Sequence, residues 1–270
     1  MANKDIKEIT EQLEQGVKDV FESDKYKEYL DFMGKFHDYS VNNIILIMMQ
    51  NPDASLVAGY KAWQTKFHRQ VRKGEKAIRI LAPCPHKIVK EDEDGNQREV
   101  RWTTYRAVSV FDISQTDGDA IPEGCVNTLT GEVVGYGELL AKLIAVAPVK
   151  VEFEDIQGGA NGYFNIVEKR IAIKSGMSEQ QTIKTLIHEI SHAILHNREN
   201  GAERGADKYT KEVQAESVAY TVCSMIGLDT AEYSFGYVAG WSKGKEAKEL
   251  KESMEVIRNT AKAIIDSLAA

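Results

Sequence analysis

The sequence predicts an α+β protein of two domains, and three features carry that expectation. Apolar residues recur at helical spacing through the first fifty positions. A pair of β-type runs closes on an Asp-Gly tip near residue 95, and in the second half short strands lead into a helix bearing the pattern His-Glu-x-x-His. A length of 270 residues suits two ordinary domains. Apolar content of 43%, charged content of 28% and only 5 Pro describe a packed globular chain.

From Asp5 to Met49, Ile6, Ile9, Leu13, Val17, Val20 and Phe21, then Tyr26, Tyr29, Leu30, Phe32, Met33 and Phe36, predict two or three helices stopped by the Asn51-Pro52-Asp53 turn. A shorter helix follows through Tyr60, Trp63 and Phe67. Strands are expected at 77–81 and 87–90, then a polar tip from Glu91 to Asn96 and a returning arm from Val100 to Phe111. Gly118, Gly124, Gly131, Gly135 and Pro122 mark a linker at 119–135, dividing the chain into domains at 1–118 and 136–270. Beyond it come a helix at 138–146 and strands at 149–153, 163–167 and 170–173. Ser178 is the expected N-cap of the motif helix, and helices near 206–227 and 243–268 complete the chain.

No apolar leader opens the sequence, and its longest strongly apolar run, Ile44 to Met49, is far below the ~20 residues that span a bilayer. Neither export nor a membrane partner is expected. Cys84, Cys125 and Cys223 are odd in number and lack a C-x-x-C spacing, which argues against a disulfide framework or a thiolate metal site and fits a reducing cytoplasm. The net charge of -7 excludes a uniformly basic nucleic-acid binder but conceals a local patch.

On a helix, His188 and His192 differ by one turn in height and about 40° in angle, so both imidazoles can face one ion. Zinc suits imidazole ligands. Glu189 flanks the same face, where its carboxylate can take a proton from water at the metal without ligating it. The uncharged neighbours Leu186, Ile187, Ile190, Ala193 and Ile194 bury this helix, which makes unpaired polar groups on it costly. One zinc ion therefore needs a third protein ligand, with a fourth position left for water. Glu212 and Glu216, spaced i, i+4 on the following helix, both offer one: whichever does not ligate can hydrogen-bond a ligating histidine. His196 has rotated away from His188 and reads as a supporting residue rather than a ligand. The implied chemistry is amide hydrolysis with Glu189 as base. The strand at 170–173 is a candidate edge for an extended peptide, and Tyr163 is either an oxyanion donor or a packed strand aromatic.

The order His188, His192, then a glutamate on the next helix resembles the gluzincin peptidases, in which the ligand glutamate precedes a second acidic residue by four positions. That resemblance implies Glu212 as the ligand and Glu216 behind it.

Residues 61–90 hold nine Lys or Arg against one acid, Glu75, a local balance of +8. Aromatic residues interleave with them and recur on the opposite arm as Trp102, Tyr105 and Phe111. Phosphate neutralisation with base stacking is how single-stranded nucleic acid is held without sequence preference. The candidate DNA-contacting residues are Tyr60, Lys61, Trp63, Lys66, Arg69, Arg72, Lys73, Lys76 and Arg79; the competing reading makes the aromatics core and the charges a solvated face.

Four segments, Tyr39 to Leu46, Gly59 to Trp63, Val71 to Lys76 and Val110 to Gly118, resemble the N-terminal domain of ArdC-type antirestriction proteins. The C-terminal part is similar to ImmA/IrrE peptidases. The resemblance implies an N-terminal domain that binds single-stranded DNA, followed by a zincin-like metallopeptidase domain with a small sheet and the His-Glu-x-x-His helix. It further implies antirestriction on mobile elements. A regulatory protease that cleaves a repressor or restriction-related protein, and a DNA-protecting module with a structural zinc, are the alternatives. The apolar stripe Leu250, Met254, Ile257, Ile264, Leu268 near the end is read as packing.

Overall fold

The computed structural model describes residues 2–21, 24–91, 97–121, 135–197 and 207–270, apart from 229, 232 and 234. Helices α1 (Ala2–Val20), α2 (Asp24–Lys35) and α3 (Val41–Gln50) open the chain. Strand β1 (Val57–Gly59), helix α4 (Tyr60–Thr65) and strands β2 (Arg69–Val71), β3 (Ile78–Glu91), β4 (Gln97–Asp112) and β5 (Thr116–Gly118) follow. Next come α5 (Tyr136–Val146), β6 (Lys150–Glu154), β7 (Gly162–Asn165), β8 (Arg170–Lys174), α6 (Glu179–Leu195), α7 (Lys208–Met225), α8 (Val238–Ser242) and α9 (Ala247–Ala269). The protein is α+β, with two compact units formed by 1–16 with 45–121 and by 17–44 with 122–270.

In the first unit β3 and β4 form one antiparallel hairpin in register from Ile78↔Val110 to Glu91↔Gln97, and β1 pairs with the far side of β4. The strands expected separately at 77–81 and 87–90 are one strand, and β3 runs through Pro83 and Pro85 between them. The sheet order β1-β4-β3 makes β3 an edge strand, and an edge strand tolerates residues without an N–H. The hairpin is buried only at its base, through Ile78, Ile80 and Val110; farther out, Ile88, Val89, Trp102 and Tyr105 are exposed. Its expected tip at 91–96 lies, beyond Glu91, outside the described residues.

Asp112 organises the base. Its buried carboxylate accepts from the backbone N–H groups of Ser55 (2.8 Å), Leu56 (3.1 Å) and Ser114 (2.8 Å). Its own N–H donates to Gln115 Oε1, completing a capping box on the 3-10 turn at Ile113–Gln115. Beyond that turn β5 pairs with β2, bringing Gly118 against the backbone of His68 and Arg69. A Cβ there would sit 2.5 Å from the His68 carbonyl, and φ is +143°, so only glycine fits.

In the second unit α7 is buried on almost every side, with Val213, Ala215, Val218, Ala219 and Val222 inaccessible. Helices α2, α6 and α9 pack around it. The expected domain at 1–118 placed α2 with the N-terminal residues, whereas Val17–Ile44 falls in the second unit. The reason is polar as well as apolar: Asp31 accepts from Tyr220 and Ser224 of α7, and Tyr26 hydrogen-bonds Ser217 at 2.8 Å in full burial. The Leu250 to Leu268 stripe of α9 is buried, as packing requires. The sheet order is β6-β8-β7, parallel between β6 and β8 and antiparallel between β8 and β7. Most of the linker expected at 119–135 lies outside the described residues.

Losing the Asp112 carboxylate leaves three backbone donors unpaired, at about 1–3 kcal/mol for each that stays buried. Asp112→Ala is therefore expected to destabilise the protein by at least ~3 kcal/mol in urea unfolding, and Asp112→Asn, which keeps one acceptor oxygen, by less.

Candidate functional site

Helix α6 begins where the sequence places it: Ser178 caps it by accepting from Gln181 N–H at 3.2 Å. The apolar flank Leu186, Ile187, Ile190 and Ala193 is buried, which turns His188 and His192 together towards α7. Their Nε2 atoms stand 3.1 Å apart, and Glu212 Oε2 of α7 lies 3.7 Å from the first and 3.6 Å from the second. A tetrahedral zinc with bonds of about 2.0–2.1 Å separates its ligand atoms by about 3.3–3.4 Å. Three donors already at nearly that spacing fit one divalent ion. Among the described residues these three form the cluster able to hold a metal.

The two glutamates have distinct places. Glu216 Oε2 faces His188 Nδ1 at 3.2 Å, away from the donor cluster, where it can accept the Nδ1 proton and leave Nε2 open. His196 meets His192 on the side remote from the cluster, Nδ1 to Nδ1 at 2.8 Å, so it presents no atom to the ion. Its other nitrogen lies 3.1 Å from Gln214 Oε1, and Gln214 in turn donates to Ser253 of α9 at 3.2 Å. Sequence reasoning missed Gln214 and Ser253, which sit on helices whose mutual packing no spacing announces.

Burial disfavours the charged form of His188, but Glu212 and Glu216 outweigh it and raise its pKa to about 10. The same imidazoles hold Glu212 far below the ordinary carboxylate range. Glu189 is buried and its pKa is raised, first by desolvation, against the pull of both histidines and a hydrogen bond from the Phe164 backbone. A poised, non-ligating carboxylate beside the donors is what a general base needs. Desolvation lowers the pKa of His196 to about 4 and keeps it neutral.

A cavity of about 330 Å³ opens beside the cluster, lined by Asn161, Gly162, Lys184, His188, Glu189 and Tyr233 among others. Gly162 lets β7 approach α6 this closely, since a Cβ there would lie 2.7 Å from Thr185 Cγ2. The strand beside the cavity is thus β7, an edge of the sheet; β8, expected as that edge, lies in the middle with a partner on each side. Tyr163 does not serve the cavity either. Its hydroxyl donates to Glu154 at 2.6 Å and accepts from Arg170 at 3.0 Å.

The candidate DNA-contacting residues divide by exposure. Tyr60, Lys61, Lys66, Lys73, Lys76 and Arg79 are exposed. Trp63 is a correction: it is wholly buried, its indole N–H donating to the Phe111 carbonyl at 2.9 Å, so no base can stack on it. Arg69 is spent on Thr116, Gly118 and Asp119, and Arg72 on Glu75, Asp117 and Ser114, which makes both braces of the β2-β5 corner. Trp102 and Tyr105 stand exposed on β4, Trp102 stacked on His86 with centroids 5.2 Å apart, and the exposed cations Lys87, Arg101 and Arg106 share that hairpin.

Comparison with known proteins finds two family matches in the chain. Residues 2–111 match the model for the N-terminal domain of the anti-restriction factor ArdC, and residues 145–261 match the IrrE N-terminal-like domain of the M78 peptidase family. The two matched segments together span most of the chain, one similar to the ArdC N-terminal domain and the other to the M78 peptidase domain. The metal-free crystal structure of the antirestriction ArdC protein from plasmid R388 has the same fold, with a TM-score of 0.54 at 19% identity over 86% of this chain and 85% of that one. An uncharacterised Bacillus anthracis protein, pXO2-81, is 28% identical over 89% of this chain; the match spans 47% of the relative's length. The ArdC-type N-terminal match contains the Asp112 corner's neighbours up to Phe111, and the M78-like match contains every residue of the metal cluster and its supports. No helix among the described residues is long and apolar enough to cross a membrane.

Because the free site holds a proton on His188 and an ion needs its neutral imidazole, metal uptake must displace that proton. At about pH 7.5, uptake is expected to release about one proton per ion, read from the dependence of binding heat on buffer ionisation enthalpy. Glu216→Gln, which lowers the His188 pKa but spares the donors, is expected to release fewer.

Proposed function

We propose that this protein binds single-stranded DNA through its N-terminal domain and carries a single-zinc, peptidase-type site in its C-terminal domain, acting in the cytoplasm to shield incoming DNA from restriction. The observation that carries the metal reading is the convergence of His188 Nε2, His192 Nε2 and Glu212 Oε2 beside a buried, non-ligating Glu189. A bound zinc supplies Lewis-acid chemistry there, acidifying water and polarising a carbonyl. His188, His192 and Glu212 would hold the ion, and Glu189 beside them would accept a proton from the water that adds to the carbonyl and pass it to the amine that leaves as the C–N bond breaks. The edge of β7 and the adjoining cavity offer an extended peptide both backbone partners and space.

The DNA reading is supported by the exposed cations Lys61, Lys66, Lys73, Lys76 and Arg79 and by unburied aromatics on the β3-β4 arm. The two activities separate by mutation. Glu189→Gln is expected to keep zinc and DNA binding while abolishing peptide hydrolysis. Replacing Lys61, Lys66, Lys73 and Lys76 with Ala is expected to spare zinc and reduce the salt slope of single-stranded DNA binding by up to about 3, at ~0.7 per phosphate contact. Protection of transferred DNA should follow the lysines. Protection that instead disappears with Glu189→Gln favours a protease acting on a repressor or restriction-related protein.

A further inference from the structure

The two histidines of the cluster are supported by different chemistry. Behind His188 stands Glu216, a carboxylate that can only accept, so Nδ1 keeps its proton and Nε2 is the nitrogen that gives one up to an ion. Behind His192, among the described residues, stands an imidazole in place of a carboxylate. The His192 Nδ1 meets this imidazole, His196, which can accept there only when its own proton is on Nε2. That nitrogen faces Gln214 Oε1, an acceptor, while the amide nitrogen of Gln214 is turned to Ser253 Oγ. Each link imposes the next. Gln214 accepting at Nε2 puts the His196 proton there, His196 Nδ1 becomes an acceptor, and His192 must carry its proton on Nδ1. The lone pair of His192 Nε2 is thereby left pointing at His188 and Glu212.

We propose that Gln214 and His196 are positioning residues that hold His192 in its Nδ1–H tautomer, with Ser253 of α9 as the hydrogen-bond partner of the Gln214 amide nitrogen. The inference rests on the reading of His188, His192 and Glu212 as a metal site. It gives α9 a part in that site: Ser253, Gln214 and His196 are all buried, so the relay is shut off from water that would otherwise exchange its hydrogen bonds. It also explains a neutral amide where a carboxylate would serve equally as acceptor. Two glutamates already balance two imidazoles, and a third buried charge beside neutral His196 would be costly.

The relay is tested by histidine ¹⁵N spectroscopy of the metal-free protein together with zinc affinity by competition with a chromophoric chelator. In the unaltered protein His192 is expected as the Nδ1–H tautomer and His196 as the Nε2–H tautomer. Gln214→Met, of similar volume but unable to accept, should randomise the His196 tautomer and weaken zinc binding about 10- to 100-fold. A randomised His196 tautomer in a folded Gln214→Met is a change that a packing role would not produce. Unchanged zinc affinity in a folded Gln214→Met, or His192 protonated on Nε2 in the unaltered protein, overturns the relay. Absence of zinc binding by the unaltered protein would instead overturn the metal site, and the tautomers would still decide the relay.

Discussion

The second unit depends on one constraint: α6 and α7 must lie close enough for the Nε2 atoms of two histidines to meet a glutamate across the helix interface. Small side chains make that approach possible. Ala193 of α6 and Ala215 and Ala219 of α7 are all buried, while Ser217, on the face towards α2, pairs with Tyr26. The apolar faces supply the driving force, since each fully buried aliphatic side chain contributes roughly 1.5–3 kcal/mol. That surplus offsets the cost of gathering two imidazoles and three carboxylates in partial burial. Glu212 and Glu216 raise the pKa of His188, which keeps a positive charge among these carboxylates.

The same helices are held from outside by α2 and α9. Asp31 gathers hydroxyls from Tyr220 and Ser224, and Ser253 reaches Gln214, so α7 is fixed along its length by polar contacts as well as by packing. Fixing α7 fixes Glu212 and Glu216 relative to α6. In the first unit the corresponding role falls to Asp112, whose carboxylate joins β1, the 3-10 turn and the end of β4. Arg69 and Arg72 bind the neighbouring β2-β5 corner through backbone carbonyls. The basic character of that region is therefore of two kinds: Arg69 and Arg72, which brace the fold, and Lys61, Lys66, Lys73, Lys76 and Arg79, which face water.

Much of this was legible in the sequence where periodicity or a cap announces it. Ser178 before the motif helix, the i, i+4 histidines and the apolar stripe of α9 all read correctly because each obeys a local rule. What escaped depends on distant packing. Glu212 and Glu216 are indistinguishable by spacing; only the imidazole nitrogen each one faces tells them apart. Trp63 sits among lysines in sequence but beneath β4 in space, where the Phe111 carbonyl satisfies its N–H. The two runs expected at 77–81 and 87–90 are one strand, because its edge position lets β3 pass through Pro83 and Pro85. The central place of β8 was equally hidden, because a short apolar strand looks alike at an edge and in the middle.

The account stands on where an ion would bind. A crystal structure of zinc-loaded protein, with anomalous differences measured on both sides of the zinc absorption edge, tests this most directly. One peak is expected, within about 2.0–2.2 Å of His188 Nε2, His192 Nε2 and a Glu212 oxygen, with Glu189, His196 and Glu216 outside bonding distance. A peak bonded to Glu216 or His196 in place of Glu212, or no peak between α6 and α7, would contradict it.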